Sequence, residues 1–372
     1  MLIGVPKEIK NHEYRVGLVP SSVRELVANG HQVMVERGAG AGIGIDDSAF
    51  ESVGATLVDT PAEIFQVVDM IIKVKEPQPE ECKMLRKGQV LFTYLHLAPD
   101  PAQAQLLQES GCVALAYETV TNKNGGLPLL APMSEVAGRM AIQAGATSLE
   151  VSHGGSGVLL GGVPGVAPAK VVVLGGGVVG TNAVRMAMGM GAHVVVIDRN
   201  IDRLYQLDLQ FGSKINTIYS TTDAIERYVC SADLVVGAVL VPGGSAPKLV
   251  KKDMLGRMRP GSVMVDVSID QGGCFETSRA TTHQDPTYIV DGVVHYCVSN
   301  MPGAVPRTST FALNNATLPF ILSLANYGYK QALRQDPHLL NGLNVYKGAL
   351  THKAVASALQ QEYSPAEVVI EK

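Results

Sequence analysis

The sequence predicts an α/β protein of two doubly wound units with mostly parallel sheets, one unit inserted into the other. Three observations predict it. Short Val/Ile/Leu-rich runs alternate with helical patterns through most of the chain, the signature of βαβ units. The composition, 46% hydrophobic and 17% charged with 39 glycines, suits strands buried on both faces and tight turns between strand and helix. A glycine-rich turn at residues 175–180 opens a second series of such units midway along. At 372 residues the chain exceeds what one core usually serves and divides more naturally into two domains of about 150–200 residues.

Taken in order, residues 2–5, 31–35, 70–74, 90–95 and 112–116 read as strands. Helices begin near Ser21, Pro61, Pro79 and Pro101, several with proline in the first turn, where its missing N–H does no harm. From Pro132 to Glu150 runs an alanine-rich helical stretch, followed by a glycine-rich loop. The second series has strands at 171–174, 193–197, 215–217, 234–237, 262–267 and 288–290. From Thr308 the pattern turns helical again and is expected to pack back on the first part. The expected division is therefore a discontinuous unit of residues 1–130 plus 307–372, with residues 131–306 inserted.

Several classes are excluded early. A net charge of −4, from 30 basic and 34 acidic residues, gives no global field toward nucleic acid or anionic lipid. Mean hydropathy is slightly positive, yet no unbroken apolar run of about 18 residues exists. The nearest stretch, residues 154–180, is broken by Pro164, Pro168 and Lys170. The opening MLIGVPKE reads as a strand rather than a secretory leader. Five scattered cysteines without a CxxC argue against a disulfide framework or a zinc site and suit a reducing cytoplasm.

The stretch KVVVLGGGVVG sets Gly175, Gly177 and Gly180 in G-x-G-x-x-G spacing directly after an apolar strand and before a helix. Gly175 suits a tight turn, Gly177 a close backbone approach to a pyrophosphate, and Gly180 close packing of helix on strand. The helix N-terminus offers unpaired N–H groups to phosphates. Glycine turns also serve packing alone, but the next strand, HVVVID, ends in Asp198, where an acid can hold ribose hydroxyls. Strand, turn, helix, strand and acid in this order mark residues 131–306 as a Rossmann-like dinucleotide-binding domain. Asp198 would repel a 2′-phosphate and so favours NAD over NADP, with Arg199 and Arg203 pulling the other way. Val239 and Leu240 in GAVLVPG, and Asp270 in VDVSIDQGG, follow strands on the edge that faces ligands in such sheets. Core packing for the first two, and a turn cap for Asp270, remain open alternatives.

In the other part, Arg15 follows the first strand, Lys75 ends MIIKVK, and His96 ends VLFTYLH. Guanidinium suits bidentate carboxylate capture, lysine adds a point charge, and imidazole exchanges a proton near neutral pH. Singly, each has an ordinary reading as a solvated, loop-capping or structural residue. Together, at the ends of strands of one sheet, they carry more weight as substrate-side residues, without naming a substrate.

GVPKEIKNHEYRVGLVP, MIIKVKEPQPEE, FTYLHLA, PMSEVAGRMA, VLGGGVVGTNA and NMPGAVPRTST lie in order across nearly the whole chain, and together they resemble the alanine dehydrogenase family. The resemblance implies reversible oxidation of L-alanine by NAD to pyruvate, NADH and ammonium, with no metal, by a homohexamer. It implies that Arg15 and Lys75, the substrate residues, bind the carboxylate and carbonyl end, and that His96 and Asp270 act as acid and base. Beyond the glycine turn, it places cofactor contacts at Ser134, Val178, Val179, Asp198, Arg203, Ser220, Val239, Leu240, Val267, Ser268, Ile269, Asp270, Arg279, Val298, Ser299, Asn300 and Met301. Related enzymes acting on saccharopine or 2-hydroxy acids, and a nucleotide-sensing role without turnover, are the rival readings.

Overall fold

The computed structural model describes residues 1–239 and 246–371. The chain divides into two compact units, Met1–Met133 with Val305–Lys372, and Ser134–Ala304. Along the chain the strands are β1 (Leu2–Val5), β2 (Gln32–Glu36), β3 (Thr56–Val58), β4 (Met70–Ile72), β5 (Val90–Thr93) and β6 (Val113–Ala116). There follow β7 (Lys170–Leu174), β8 (His193–Asp198), β9 (Ile215–Tyr219), β10 (Leu234–Gly237), β11 (Val263–Asp266), β12 (Thr287–Val290) and β13 (Val293–Tyr296). The tail supplies β14 (Leu343–Tyr346) and β15 (Ala349–Leu350).

The first unit holds a sheet in the order β15-β14-β6-β5-β4-β1-β2-β3. β1 to β6 pair in parallel, whereas β14 runs antiparallel to β6 and to β15. The chain moves outward from β1 through β2 to β3, then returns to build β4, β5 and β6 on the other side. The order of winding reverses between β1 and β4. Successive residues feed opposite faces, so both faces need apolar side chains. Ile3, Val5, Met70, Ile72 and Phe92 join one core, and Ile71, Leu91 and Ala114 the other.

The second unit repeats the plan in the order β12-β13-β11-β10-β7-β8-β9, all parallel except β12 at the edge. Val171, Val173, Val194 and Val236 face one core, and Val172, Leu174, Val235 and Met264 the other. Here the reversal falls between β7 and β10.

The structure departs from the sequence reading in three places. The tail, expected to be helical, also carries β14 and β15. β14 is a run of only four residues, and it contains the buried Asn344, whose amide donates to Thr119 Oγ1 at 2.7 Å and to the Gly342 carbonyl at 2.9 Å. β3, three residues long, gives too short a run to stand out. β13 lies next to β11 in the parallel sheet, while the expected strand at 288–290 is the antiparallel edge. His295 sits inside β13 fully buried, its ring between Thr277 Oγ1 (2.8 Å) and the Val293 carbonyl (3.0 Å). A histidine in the middle of VVHY masks a strand that its bonding makes acceptable.

Among the described residues no helix is long and apolar enough to cross a membrane.

Candidate active site

In the first unit the three expected substrate-side residues follow three adjacent strands. Arg15 lies in the loop after β1, Lys75 just past β4, and His96 just past β5. All three sit on the edge where strands end, flanking the reversal in winding, which is where open α/β sheets bind ligands.

Arg15 is not the solvated arginine its loop position would suggest. It is 3% exposed, and its Nε and Nη2 donate to the two carboxylate oxygens of Glu13 at 2.7 and 2.6 Å. Nη1 lies 3.0 Å from Met133 Sδ. Burial alone would raise the Glu13 carboxyl, but the guanidinium outweighs it and holds Glu13 below the usual range. Lys75 shows the opposite balance. Burial pushes its ammonium below the usual lysine value against the pull of Glu76, and Arg15 and Lys10 add to the depression. Lys75 thus gives up its proton more readily than a surface lysine.

A carboxylate that the sequence reading missed sets the backbone at Lys75. Glu8 Oε1 accepts the N–H groups of Val74 (2.6 Å) and Lys75 (3.3 Å). Its other oxygen accepts from the buried Lys73 Nζ at 3.1 Å, and Lys73 also donates to Glu81 at 2.8 Å. Tyr94, fixed by a 2.6 Å bond from its hydroxyl to the Leu129 carbonyl, stacks against His96 with ring centroids 5.8 Å apart. Glu118 receives the backbone N–H of His96 at 2.6 Å. An acid just after a strand was the available signal for Glu118, the same one that marked His96. A hollow of about 710 Å³ elsewhere in this unit, lined by Pro20, Ile45 and Phe311 among others, includes none of these residues.

In the second unit the glycine turn has the geometry its spacing demands. Gly175 has φ +99°, and a Cβ there would meet the Ala238 carbonyl oxygen at 2.6 Å. A Cβ on Gly180 would lie 1.8 Å from the Gly175 oxygen, so the helix Val178–Gly189 can approach β7 only without a side chain. Around Gly177 a Cβ would meet nothing within 4 Å. That residue precedes the helix with no side-chain cap, which leaves the first-turn N–H groups of Val178 and Val179 to a ligand. Open space plus uncapped donors fits a pyrophosphate.

Asp198 ends β8 beside this turn, accepting from Gly176 N at 2.6 Å and Asn200 N at 2.8 Å. Each oxygen keeps a lone pair for a ribose hydroxyl. Arg203 is a brace: Nε donates to the Gly176 carbonyl (2.6 Å), Nη2 to Thr181 Oγ1 (2.5 Å) and Nη1 to Gln206 Oε1 (2.7 Å). A hollow of about 300 Å³ lies against this corner, lined by Val178, Thr181, Arg139, Arg185 and Arg203 among others.

Most other expected cofactor residues also follow strand ends. Ser220 comes after β9, and Val239 after β10, with its N–H donating to Ser268 Oγ at 3.0 Å. Leu240 lies outside the described residues. Val267, Ser268, Ile269 and Asp270 form the 3₁₀ turn Val267–Gln271 after β11. Buried Asp266 holds that turn, accepting from the N–H groups of Ser268 (3.0 Å) and Cys274 (2.8 Å) and from Ser278 Oγ (2.5 Å). Val298, Ser299, Asn300 and Met301 follow β13. Ser134 and Arg279 do not follow parallel strands. Ser134 lies in the helix Ala131–Ser148, and Arg279 packs 4.0 Å over the Tyr288 ring.

A doubly wound unit with this glycine turn, uncapped helix and an acid at the end of the next strand is the build of a dinucleotide-dependent oxidoreductase. The family comparisons narrow that class. Residues 4–137 match the model of the alanine dehydrogenase/PNT N-terminal domain, and residues 141–353 that of the C-terminal domain. The chain is 60% identical over 370 residues to the alanine dehydrogenase of Halomonas elongata, covering 100% of both. It is 55% identical over 368 residues to that of Methanococcus maripaludis, covering 99% of each. A solved L-alanine dehydrogenase structure superposes with a TM-score of 0.94 at 54% identity, over 97% of this chain and 99% of that one. The chain belongs to the alanine dehydrogenase/PNT family of pyridine nucleotide-dependent dehydrogenases.

Proposed function

We propose that this chain catalyses the reversible, NAD-dependent oxidative deamination of L-alanine to pyruvate and ammonium. The observation that carries the reading is the setting of Arg15, Lys75 and His96 after the adjacent strands β1, β4 and β5, in a chain alike over its full length to alanine dehydrogenases. When bound, NAD would accept the hydride that leaves the alanine Cα. The residues of this chain do the rest. Arg15, held rigid by Glu13, presents charge to the carboxylate, and Lys75 binds the carbonyl end. Loss of hydride leaves an iminium, to which water adds, and ammonia then departs as the carbonyl forms. Each step moves a proton, which His96 and Asp270 exchange with substrate and water. The two groups are carried by different units. The glycine turn, Asp198 and the residues after β9, β10, β11 and β13 hold the cofactor. A homohexameric assembly belongs to the same reading and rests on the resemblance alone.

The test is NADH formation with a panel of L-amino acids, lactate and saccharopine. Alanine should exceed the others in kcat/KM, and a better rate with lactate or saccharopine would overturn the substrate assignment.

Cofactor choice gives a second expected outcome. Because the Arg203 donors are engaged by Gly176, Thr181 and Gln206, they oppose Asp198 less than sequence proximity implies. NAD should be preferred to NADP, and Asp198→Ala should narrow the gap chiefly by raising KM for NAD. Comparable kcat/KM for both cofactors in the unaltered enzyme would refute the role of Asp198.

A further inference from the structure

The conformation of His96 is unusual and has an identifiable cause. Its φ is +48°, a left-handed backbone that L side chains rarely adopt. Such a residue persists only where its surroundings over-determine it. Glu118 supplies the constraint. It lies in the 3₁₀ turn Tyr117–Thr119 directly after β6, and the register pairs Thr93 with Ala116. Two residues beyond β6, its carboxylate therefore reaches the chain leaving β5. Oε1 accepts the N–H of His96 at 2.6 Å and that of Leu95 at 3.2 Å, and Oε2 lies 3.2 Å from the same Leu95 nitrogen. The imidazole Nδ1 is 3.9 Å from Oε1, beyond hydrogen-bond range, so the close contacts are to backbone. Tyr94 stacks parallel to the ring within 8°, while the side chain remains 47% exposed.

We propose that Glu118 is the positioning residue for His96: its carboxylate oxygen clamps two N–H groups in a left-handed turn and so aims the imidazole at the substrate. This rests on the reading of His96 as a proton-transfer group. What matters is an acceptor atom at that point, more than the charge behind it. Glu118→Gln keeps an oxygen where Oε1 stands. Glu118→Asp keeps the charge but withdraws the oxygen by about one bond length, and Glu118→Ala removes the acceptor.

The experiment measures kcat and NADH affinity for these three variants, for His96→Ala, and for each Glu118 variant combined with His96→Ala. The expected result is near-normal kcat for Gln and a fall of about 10–100-fold for Asp and Ala, with NADH affinity unchanged. In the His96→Ala background the Asp and Ala substitutions should cause no further loss, because their effect passes through the imidazole. If the Ala variant does not fold, the contrast between Gln and Asp decides. Normal kcat in the Asp and Ala variants, greater damage from Gln than from Asp, or an undiminished loss in the His96→Ala background would each overturn the proposal. A His96→Ala enzyme with near-normal kcat would remove the His96 assignment and the positioning role together. A loss in His96→Ala unmatched by any Glu118 variant would remove the positioning role alone.

Discussion

His96→Ala and Asp270→Asn should each lower kcat by about 10²–10⁴-fold while NADH affinity stays nearly unchanged, the range expected when a positioned general acid or base is lost. Neither side chain supports the fold. The His96 side chain is 47% exposed and belongs to neither core of its unit. Asp270 is exposed, and among the described residues its carboxylate makes no hydrogen bond or ion pair. The turn that carries it is held by Asp266 instead. Steady-state kinetics in both directions, beside fluorescence titration with NADH, would separate chemistry from binding. A near-normal kcat in either variant would remove that residue from the proton-transfer pair.

Lys73→Met should destabilise the first unit by about 3–5 kcal/mol, the usual consequence of removing one partner from a buried ion cluster. Lys73 is fully buried and lies 3.1 Å from Glu8 and 2.8 Å from Glu81. One cation serves two carboxylates, and burial already pushes Glu8 above the usual value despite Lys73. Without the ammonium, Glu8 rises further. A carboxyl whose folded pKa exceeds its unfolded one contributes stability that is fully present below the unfolded value and lost as pH rises through the folded one. The deficit of the variant should therefore be smallest in mild acid and grow toward alkaline pH. Thermal unfolding at both ends of that range checks it, and a small or pH-independent deficit would contradict the account. Because Glu8 also holds the N–H groups of Val74 and Lys75, kcat/KM for pyruvate should fall along with stability.

The parallel strands and the places where they end were legible because burial on both faces leaves an unmistakable record. Val171–Val172–Val173 or Met70–Ile71–Ile72 can be little else. Strand-end residues such as Lys75, His96 and Asp198 stand out for the same reason, as polar groups where an apolar run stops. Less legible were strands that satisfy a polar side chain internally, such as β13 with His295 and β14 with Asn344. Glu8 left no local mark either, and Glu118 none beyond its place just after a strand. Glu8 acts on residues 66 and 67 positions away, and Glu118 on residues 22 and 23 positions away. Their role is hydrogen bonding to backbone across the sheet, which periodicity does not record. Arg15 was located in sequence, but its engagement with Glu13 two residues earlier was not foreseen. An arginine and a glutamate so close read equally well as two solvated side chains.

The placement of β14 bears on how the protein comes off the ribosome. The second unit is one continuous stretch, Ser134–Ala304, and its sheet can be completed while the first unit still lacks its final segment. Until residues 343–346 have emerged, β6 has no antiparallel neighbour, and its Val-Ala-Leu-Ala backbone remains an open, apolar edge. The side chains of Leu313, Ile321, Leu324 and Leu333 are also missing from the core of the first unit at that stage. The N-terminal third is thus made first and finished last, so that chaperone demand falls on the strand that later carries Glu118 at its end.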